Sequence, residues 1–372
     1  MTEPRLFIGL HCDRADHGVD AVIAEVAPSE SDQAPHARQR RCLTHRMPDD
    51  LRDALRAPSD APGAPPPDEL DLRLGATMGQ AAIRLMREAG IAPGQVAAIG
   101  IGPLRRGPGP RGELGLPEAV AQTAHLPAVG RFGAADVAAG GHGGTVTAWP
   151  IWRLLRGERL SRVVLHLGAI CSLTFVGGDA AAEEVVAYDV GPGTEALDAV
   201  ARRALGAPGD PDGALAARGR PNPAMVHELL VQPYLTQSPP KTATAAQWGG
   251  VWLDRLEMRS EKHACAAADL PATVTEAVAA AAARSVEGLT ERPHEVILAG
   301  RGAGNIHLAM RIRDRLSPSS TYTIERYGVA VTGLPALCLA TLAAARLDGV
   351  AAHCPCASGA ARAVVLGGVC LP

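Results

Sequence analysis

One pattern occurs once in each half of this chain and limits its folds more than any other feature: apolar strand segments in succession, then alternation of helix and strand. In the first half, residues 6–10 and 20–26 have strand character across a polar loop. Residues 28–67 show no strong period, and the proline-rich 61–67 stretch reads as a linker. Leu70, Leu74, Met78, Ala81, Ala82, Leu85 and Met86 recur at helical spacing over 68–89, and Gly90 stops the run. A short buried strand follows at 96–101, then a Gly/Pro/Arg-rich loop at 102–112. The second half starts with three strands at 162–167, 170–176 and 184–188, and a helix begins at Thr194. Further helices are expected at 222–231, 251–259, 271–289, 305–316 and 334–347, with strands at 294–299, 321–325 and 363–366. The repeat predicts a duplicated α/β architecture rather than one Rossmann sheet.

The 372 residues suit two lobes better than one core. No apolar run reaches the roughly 20 residues of a membrane span, so no membrane partner is expected. The N-terminal apolar stretch is too short for a secretory signal, which points to the cytoplasm. With 36 basic and 39 acidic residues, and no dense basic run beyond Arg38–Arg41, nucleic acid is not an expected partner. The eight cysteines lie in apolar contexts and read as small buried hydrophobes. Neither His353-Cys354-Pro355-Cys356 nor His11-Cys12-Asp13 with Asp16-His17 has the second ligand pair of a zinc site, so no metal site is assigned to the chain. Trp149, Trp152 and Trp248 read as core or lobe-interface residues.

Two segments can carry chemistry. In Ala187-Tyr188-Asp189-Val190-Gly191-Pro192-Gly193-Thr194 a strand delivers a carboxylate, two glycines allow close approach, and a helix beginning at Thr194 would aim N–H groups at an anion. An acid beside a phosphate cradle suits phosphoryl transfer. The same segment also reads as a plain strand–turn–helix whose Asp caps the turn. The second is Gly300-Arg301-Gly302-Ala303-Gly304-Asn305, a glycine turn between strand and helix that suits a nucleotide. Glu325 follows where a Rossmann unit keeps its ribose-binding acid, so NAD binding competes, and a tight strand–helix connection is a third reading.

Five ordered blocks resemble the anhydro-N-acetylmuramic acid kinases: Ile8-Gly9-Leu10 with Gly18–Val22; Asp136 to Gly143; Tyr188 to Gly193 with Asp198; Pro239-Pro240-Lys241-Thr242; and Gly300 to Asn305 followed by Leu308 and Met310. The resemblance implies an α/β fold of two ribonuclease H-like lobes around a central cleft, the actin-like ATPase fold. It places residues 1–130 in an N-terminal lobe, with 362–372 packing back on it, and 131–361 in a C-terminal lobe. It implies ATP and Mg²⁺ as cofactors and a sugar as the small-molecule partner, and leaves a homodimer open. The chemistry would be phosphorylation of 1,6-anhydro-N-acetylmuramic acid with ring opening, in cell-wall recycling. By carry-over, Asp189 is the catalytic base. Gly9, Arg14, Gly18, Asp20, Gly191, Gly193, Gly300, Gly302, Ala303 and Asn305 would bind ATP, and Asp136, Gly140, Gly141 and His142 the sugar.

Several positions depart from that pattern. The family's first phosphate loop, approximately Met-Ser-Gly-Thr-Ser-x-Asp-Gly, is His11 to Gly18 here, where Asp13 and Asp16 repel a triphosphate unless Mg²⁺ or Arg14 compensates. The family's His-Gly-Gln-Thr is Ile101–Leu104, Asp-Phe-Arg is Arg131–Gly133, and Asn-Ile-Gly-Gly is His166–Ala169. These losses support an alternative, a catalytically impaired homologue that binds nucleotide or sugar. An NAD-binding enzyme is the third reading.

Overall fold

The structure is a computed structural model describing residues 3–29, 36–57, 67–105, 113–157 and 159–372. The expected linker at 61–67, except Pro67, and most of the 102–112 loop lie outside the described residues. The chain divides into two compact units, Met1–Arg156 with Gly328–Pro372, and Gly157–Tyr327. The boundaries expected at 130/131 and 361/362 therefore move to 156/157 and 327/328. The physical reason is the Leu334–Leu347 helix, which packs on the first sheet and takes its flanking chain into the first unit.

In the first unit β1 (Arg5–His11) runs antiparallel to β2 (Val19–Val26), and β2 to β3 (Ala37–His45). On the other side of β1 lies β4 (Val96–Gly102), in parallel. A two-stranded hairpin follows, β5 (Leu104–Arg105) and β6 (Glu113–Leu114), and then β7 (Ala128–Gly130), parallel to β4. The second unit opens with a meander of β8 (Arg162–Leu167), β9 (Ile170–Val176) and β10 (Val186–Pro192). It continues with β11 (Glu295–Ala299), parallel to β8, and β12 (Ser320–Thr323), parallel to β11. Finally β13 (Gly368–Cys370) joins the first sheet, antiparallel to β7. The sheet orders are β13-β7-β4-β1-β2-β3 and β10-β9-β8-β11-β12. Each contains the ribonuclease H-like order, three antiparallel strands followed by two parallel to the first. The protein is a two-lobed α/β molecule of the actin-like ATPase fold.

Alternation along β1 explains how the first sheet is covered. Ile8 and Leu10 share a core with Leu70, Leu74, Met78 and Leu85 of the Pro67–Ala89 helix. Gly9 faces the Leu334–Leu347 helix: a Cβ there would lie 1.7 Å from the Ala336 carbonyl oxygen. Its register partner Gly100 meets the Leu339 carbonyl in the same way, at 2.0 Å. In the second unit Val163, Leu165 and Leu173 pack with Val274 and Val278 of the Leu270–Glu287 helix and with Leu308 and Ile312 of the Ile306–Leu316 helix. Among the described residues no helix is long and apolar enough to cross a membrane.

Two expectations fail here. The strand expected at 363–366 lies at Gly368–Cys370 instead, because Gly367 (φ +86°), tight against the Phe132 ring, turns the chain just before it pairs. The aperiodic 28–67 stretch contains β3 and the Asp49–Arg56 helix.

Candidate active site

Asp189 lies one residue before a register shift in β10, a bulge between Asp189 and Gly191. Bulges re-aim side chains, and this one falls beside the partly exposed carboxylate in the middle of β10. The carboxylate is held firmly. Its Oδ2 accepts hydrogen bonds from the Thr242 hydroxyl and the Ala243 amide, both at 2.8 Å. The backbone is fixed as well: the Asp189 amide donates to the Lys241 carbonyl (3.1 Å), and the Tyr234 hydroxyl donates to the Asp189 carbonyl (2.8 Å). Beside it Cys171 is fully buried. Burial, with the Asp189 charge adding, pushes the Cys171 thiol up to about 12 and raises the Tyr234 phenol.

Gly193 permits a close approach, but to protein. A Cβ there would lie 2.2 Å from the Gly168 carbonyl oxygen. The amides of Gly193 and Glu195 donate to the Ala169 carbonyl, and the amide and hydroxyl of Thr194 donate to the Gly168 carbonyl. The expected anion seat at the start of the Thr194–Leu205 helix is therefore filled by two backbone carbonyls. Gly191 fits the family reading better, since its missing Cβ is opposed only by the Leu235 side chain.

The Gly300 turn meets this loop. A Cβ on Gly302 would touch Leu167 and the Thr194 methyl, and Gly300 (φ +82°) abuts the Leu167 carbonyl. Ala303 is half-buried in the Arg301–Gly304 turn, and Gly304 faces open space. Asn305 does not face a nucleotide. It is 2% exposed, caps the Ile306–Leu316 helix through Leu308 N (2.9 Å), and donates to the Asp210 carbonyl (2.9 Å). The cap takes the Leu308 amide, one of the N–H groups that the start of that helix would otherwise offer an anion. Glu325 is not at a strand end but lies exposed in the Ile324–Tyr327 turn, where it accepts from Thr323. The NAD reading loses the strand-end acid that supported it. Asp198 staples a loop through Asp210 N (2.9 Å).

In the first unit the expected ATP-side residues serve the fold. Gly9 makes room for a helix, and Gly18 (φ +77°) sits against the His45 carbonyl. Asp20 is 4% exposed and accepts from Thr44 (2.6 Å). Arg14 is buried, its guanidinium paired with Asp16 at 3.1 Å, so the compensation foreseen for a triphosphate is directed at the loop's own acid. The expected sugar-side group is a staple. Asp136, fully buried, accepts from the Gly143 amide (2.6 Å) and bonds His353 Nε2 (2.6 Å), which also contacts the Ser358 hydroxyl (3.2 Å). Burial opposes ionisation of Asp136, but the His353, Ser358 and Gly143 hydrogen bonds outweigh it and hold the carboxyl below its ordinary range. Gly141 packs on that carboxylate, and Gly140 (φ +93°) turns the loop in the open. The His142 amide donates to the Ser358 carbonyl, and its Nδ1 accepts from Gly144. His142 Nε2 is buried and has no hydrogen-bond partner among the described residues. Among the described residues no cluster of three or more His, Cys, Asp or Glu could hold a metal ion.

A family model described as anhydro-N-acetylmuramic acid kinase matches residues 5–372. The chain belongs to that family. The anhydro-N-acetylmuramic acid kinase of Salinibacter ruber is 30% identical over 387 residues, covering 99% of this chain and 96% of that protein. The one from Cupriavidus pinatubonensis is 34% identical over 294 residues, covering 77% of this chain and 78% of that protein. Among solved structures, the activator of the 2-hydroxyisocaproyl-CoA dehydratase from Clostridium difficile with bound ADPNP aligns over 91% of this chain and 94% of that one. That alignment has 10% identity and a TM-score of 0.45, too loose a likeness to bear on function.

Membership in the anhydro-N-acetylmuramic acid kinase family carries a general ATP-dependent kinase role. What the geometry adds is a firmly oriented carboxylate. The Ala243 amide, which bonds the carboxylate, and the Tyr234 hydroxyl, which bonds the Asp189 backbone carbonyl, were not placed at the site by sequence reasoning. Thr242 was within reach, since it closes the Pro239–Thr242 block. Tyr234 gave no signal, because its approach to Asp189 is purely tertiary.

Proposed function

We propose that this protein is an ATP-dependent sugar kinase that opens and phosphorylates 1,6-anhydro-N-acetylmuramic acid, with Asp189 as general base. The observation that carries the reading is the pair of 2.8 Å bonds from Thr242 and Ala243 to a single oxygen, Oδ2. They orient the carboxylate, whose role is to accept a proton from the attacking water as the ring opens. The names of the curated relatives supply the substrate. ATP with Mg²⁺ would supply the phosphoryl group. The open Gly304 and the shallow Gly300–Ala303 turn suit an adenosine face. The triphosphate fits less well: the amides of residues 193–195 are spent on Gly168 and Ala169, and Arg14 is spent on Asp16.

That mismatch favours a second reading, a homologue that binds nucleotide or sugar with little turnover. A coupled ADP-release assay over a panel of anhydro and open-chain amino sugars separates the two. The kinase reading expects turnover on the 1,6-anhydro sugar and a fall of about 10²–10⁴-fold in Asp189→Asn, with the melting temperature nearly unchanged. The amide oxygen of Asn can still accept from Ala243, which is why the fold should hold. Nucleotide binding without turnover on any sugar would leave the second reading.

A further inference from the structure

Behind the strand that carries Asp189 is a cavity of about 350 Å³ that the kinase chemistry does not use. Its walls come entirely from the second unit. Val186, Tyr188 and Val190 line it from β10; alternation along the strand places these three on one face and Asp189 on the other. Ala281 and Ser285 of the Leu270–Glu287 helix close it from beneath, and Leu230, Leu235 and Leu289 complete an apolar wall. Two cations face this wall, Lys241 and Arg284, and no acidic side chain lines the cavity among the described residues.

Lys241 is the telling group. The residue is 8% exposed, yet its ammonium, with three donors, makes one hydrogen bond, to the Tyr234 carbonyl at 3.1 Å. The Tyr234 and Tyr188 rings lie 4.9 and 5.7 Å from Nζ and soften the charge without accepting its other protons. Burial lowers the Lys241 pKa, and Asp189, across the strand, opposes that shift. On the wall of an apolar cavity, an ammonium that keeps donor capacity beyond its bond to Tyr234 gains from an anion that completes it. Arg284, exposed, lines the same cavity and makes no ion pair among the described residues.

We infer that this cavity is a second binding site, for a small amphipathic anion whose carboxylate or phosphate head meets Lys241 and Arg284 and whose apolar body lies along Val186, Val190 and the leucines. Of ordinary probes, octanoate and octyl phosphate carry the two heads on a chain of a size such a volume holds. Octan-1-ol and octylamine present the same chain without the anion.

The test is calorimetric titration of the full chain with these four compounds. It needs no turnover, so its outcome and that of the kinase reading are independent. The expected result is saturable one-site binding of an anion, at least tenfold weaker binding of the alcohol and none of the amine. Which head binds tighter separates carboxylate from phosphate ligands. Lys241→Met and Arg284→Met should each weaken the anion by tenfold or more; Arg284 is exposed, so its variant reports even if the Lys241 variant folds poorly. Equal binding of all four amphiphiles, no binding of either anion, or anion binding unchanged in Arg284→Met would overturn the site.

Discussion

His36 is 1% exposed, its Nδ1 accepting from Arg153 at 2.8 Å and its ring edge-on to Trp149. Burial, with Arg153 and Arg156 beside it, lowers its pKa from 6.5 to about 3. The folded state therefore keeps this imidazole neutral while the unfolded chain protonates it below pH 6.5. The stability this contributes is complete above pH 6.5 and is lost as pH falls toward about 3, at up to about 1.4 kcal/mol per pH unit. His45, lowered by burial and by Arg84, adds in the same sense. Carboxylates such as Asp136 act only lower, near and below their ordinary pKa of about 4. Urea midpoints at pH 7, 6 and 5 should thus fall steadily, and His36→Asn, which keeps an acceptor for Arg153, should flatten the slope. Asp136 gives a second residue-scale prediction. As a staple, Asp136→Asn should cost about 1–3 kcal/mol, read as a lower melting temperature. A change confined to the KM for sugar would return it to the substrate side. The difference shows what was legible at the site. Asp189 and the glycine turns stood out because a carboxylate on an apolar strand and strand–turn–helix glycines leave local patterns, although β10 runs on past Asp189 to Pro192. Asp136, Asn305 and Arg14 were read toward a ligand, and their protein partners, His353, the Asp210 carbonyl and Asp16, could not be foreseen because tertiary packing sets them.

At the scale of elements, the contact of the Leu334–Leu347 helix with β1 and β4 depends on two missing methyl groups. A Cβ at Gly9 would meet a backbone carbonyl rather than a side chain that could swing away, so the helix itself would have to retreat. Gly9→Ala is expected to cost about 3 kcal/mol, the upper end of ordinary overpacking, and to lower the melting temperature by several degrees. Gly304→Ala, facing open space, is the control and should change little. The apolar strands and long amphipathic helices were readable, with β8, β9 and the Leu334–Leu347 helix matching their expected limits. β3 was not. It is an edge strand, paired only with β2, and its exposed run Arg38 to Arg41 carries charge where alternation would otherwise show. Charge on an edge strand discourages pairing with other chains, and it erases the signal that would reveal the strand.

For the whole molecule, the division into units makes an asymmetric prediction. Residues 157–327 are continuous and contain a complete sheet and the core that covers it, from Val163 to Leu316. Expressed alone, this segment should fold and unfold cooperatively in urea, as a unit with its own core can. The first unit is discontinuous. Residues 1–156 alone lack the Leu334–Leu347 helix, so the sheet face around Gly9 and Gly100 loses its cover, and they lack β13, so β7 becomes an edge. That fragment should aggregate, because an uncovered apolar sheet face with an open edge is an association surface. Joining 1–156 to 328–372 by a flexible linker should restore a monomeric, cooperatively unfolding protein, measured by gel filtration and circular dichroism. A soluble, cooperative 1–156 fragment would show that the helix is dispensable cover, and the 1.7 Å approach at Gly9 would then be a consequence of the fold rather than a condition for it.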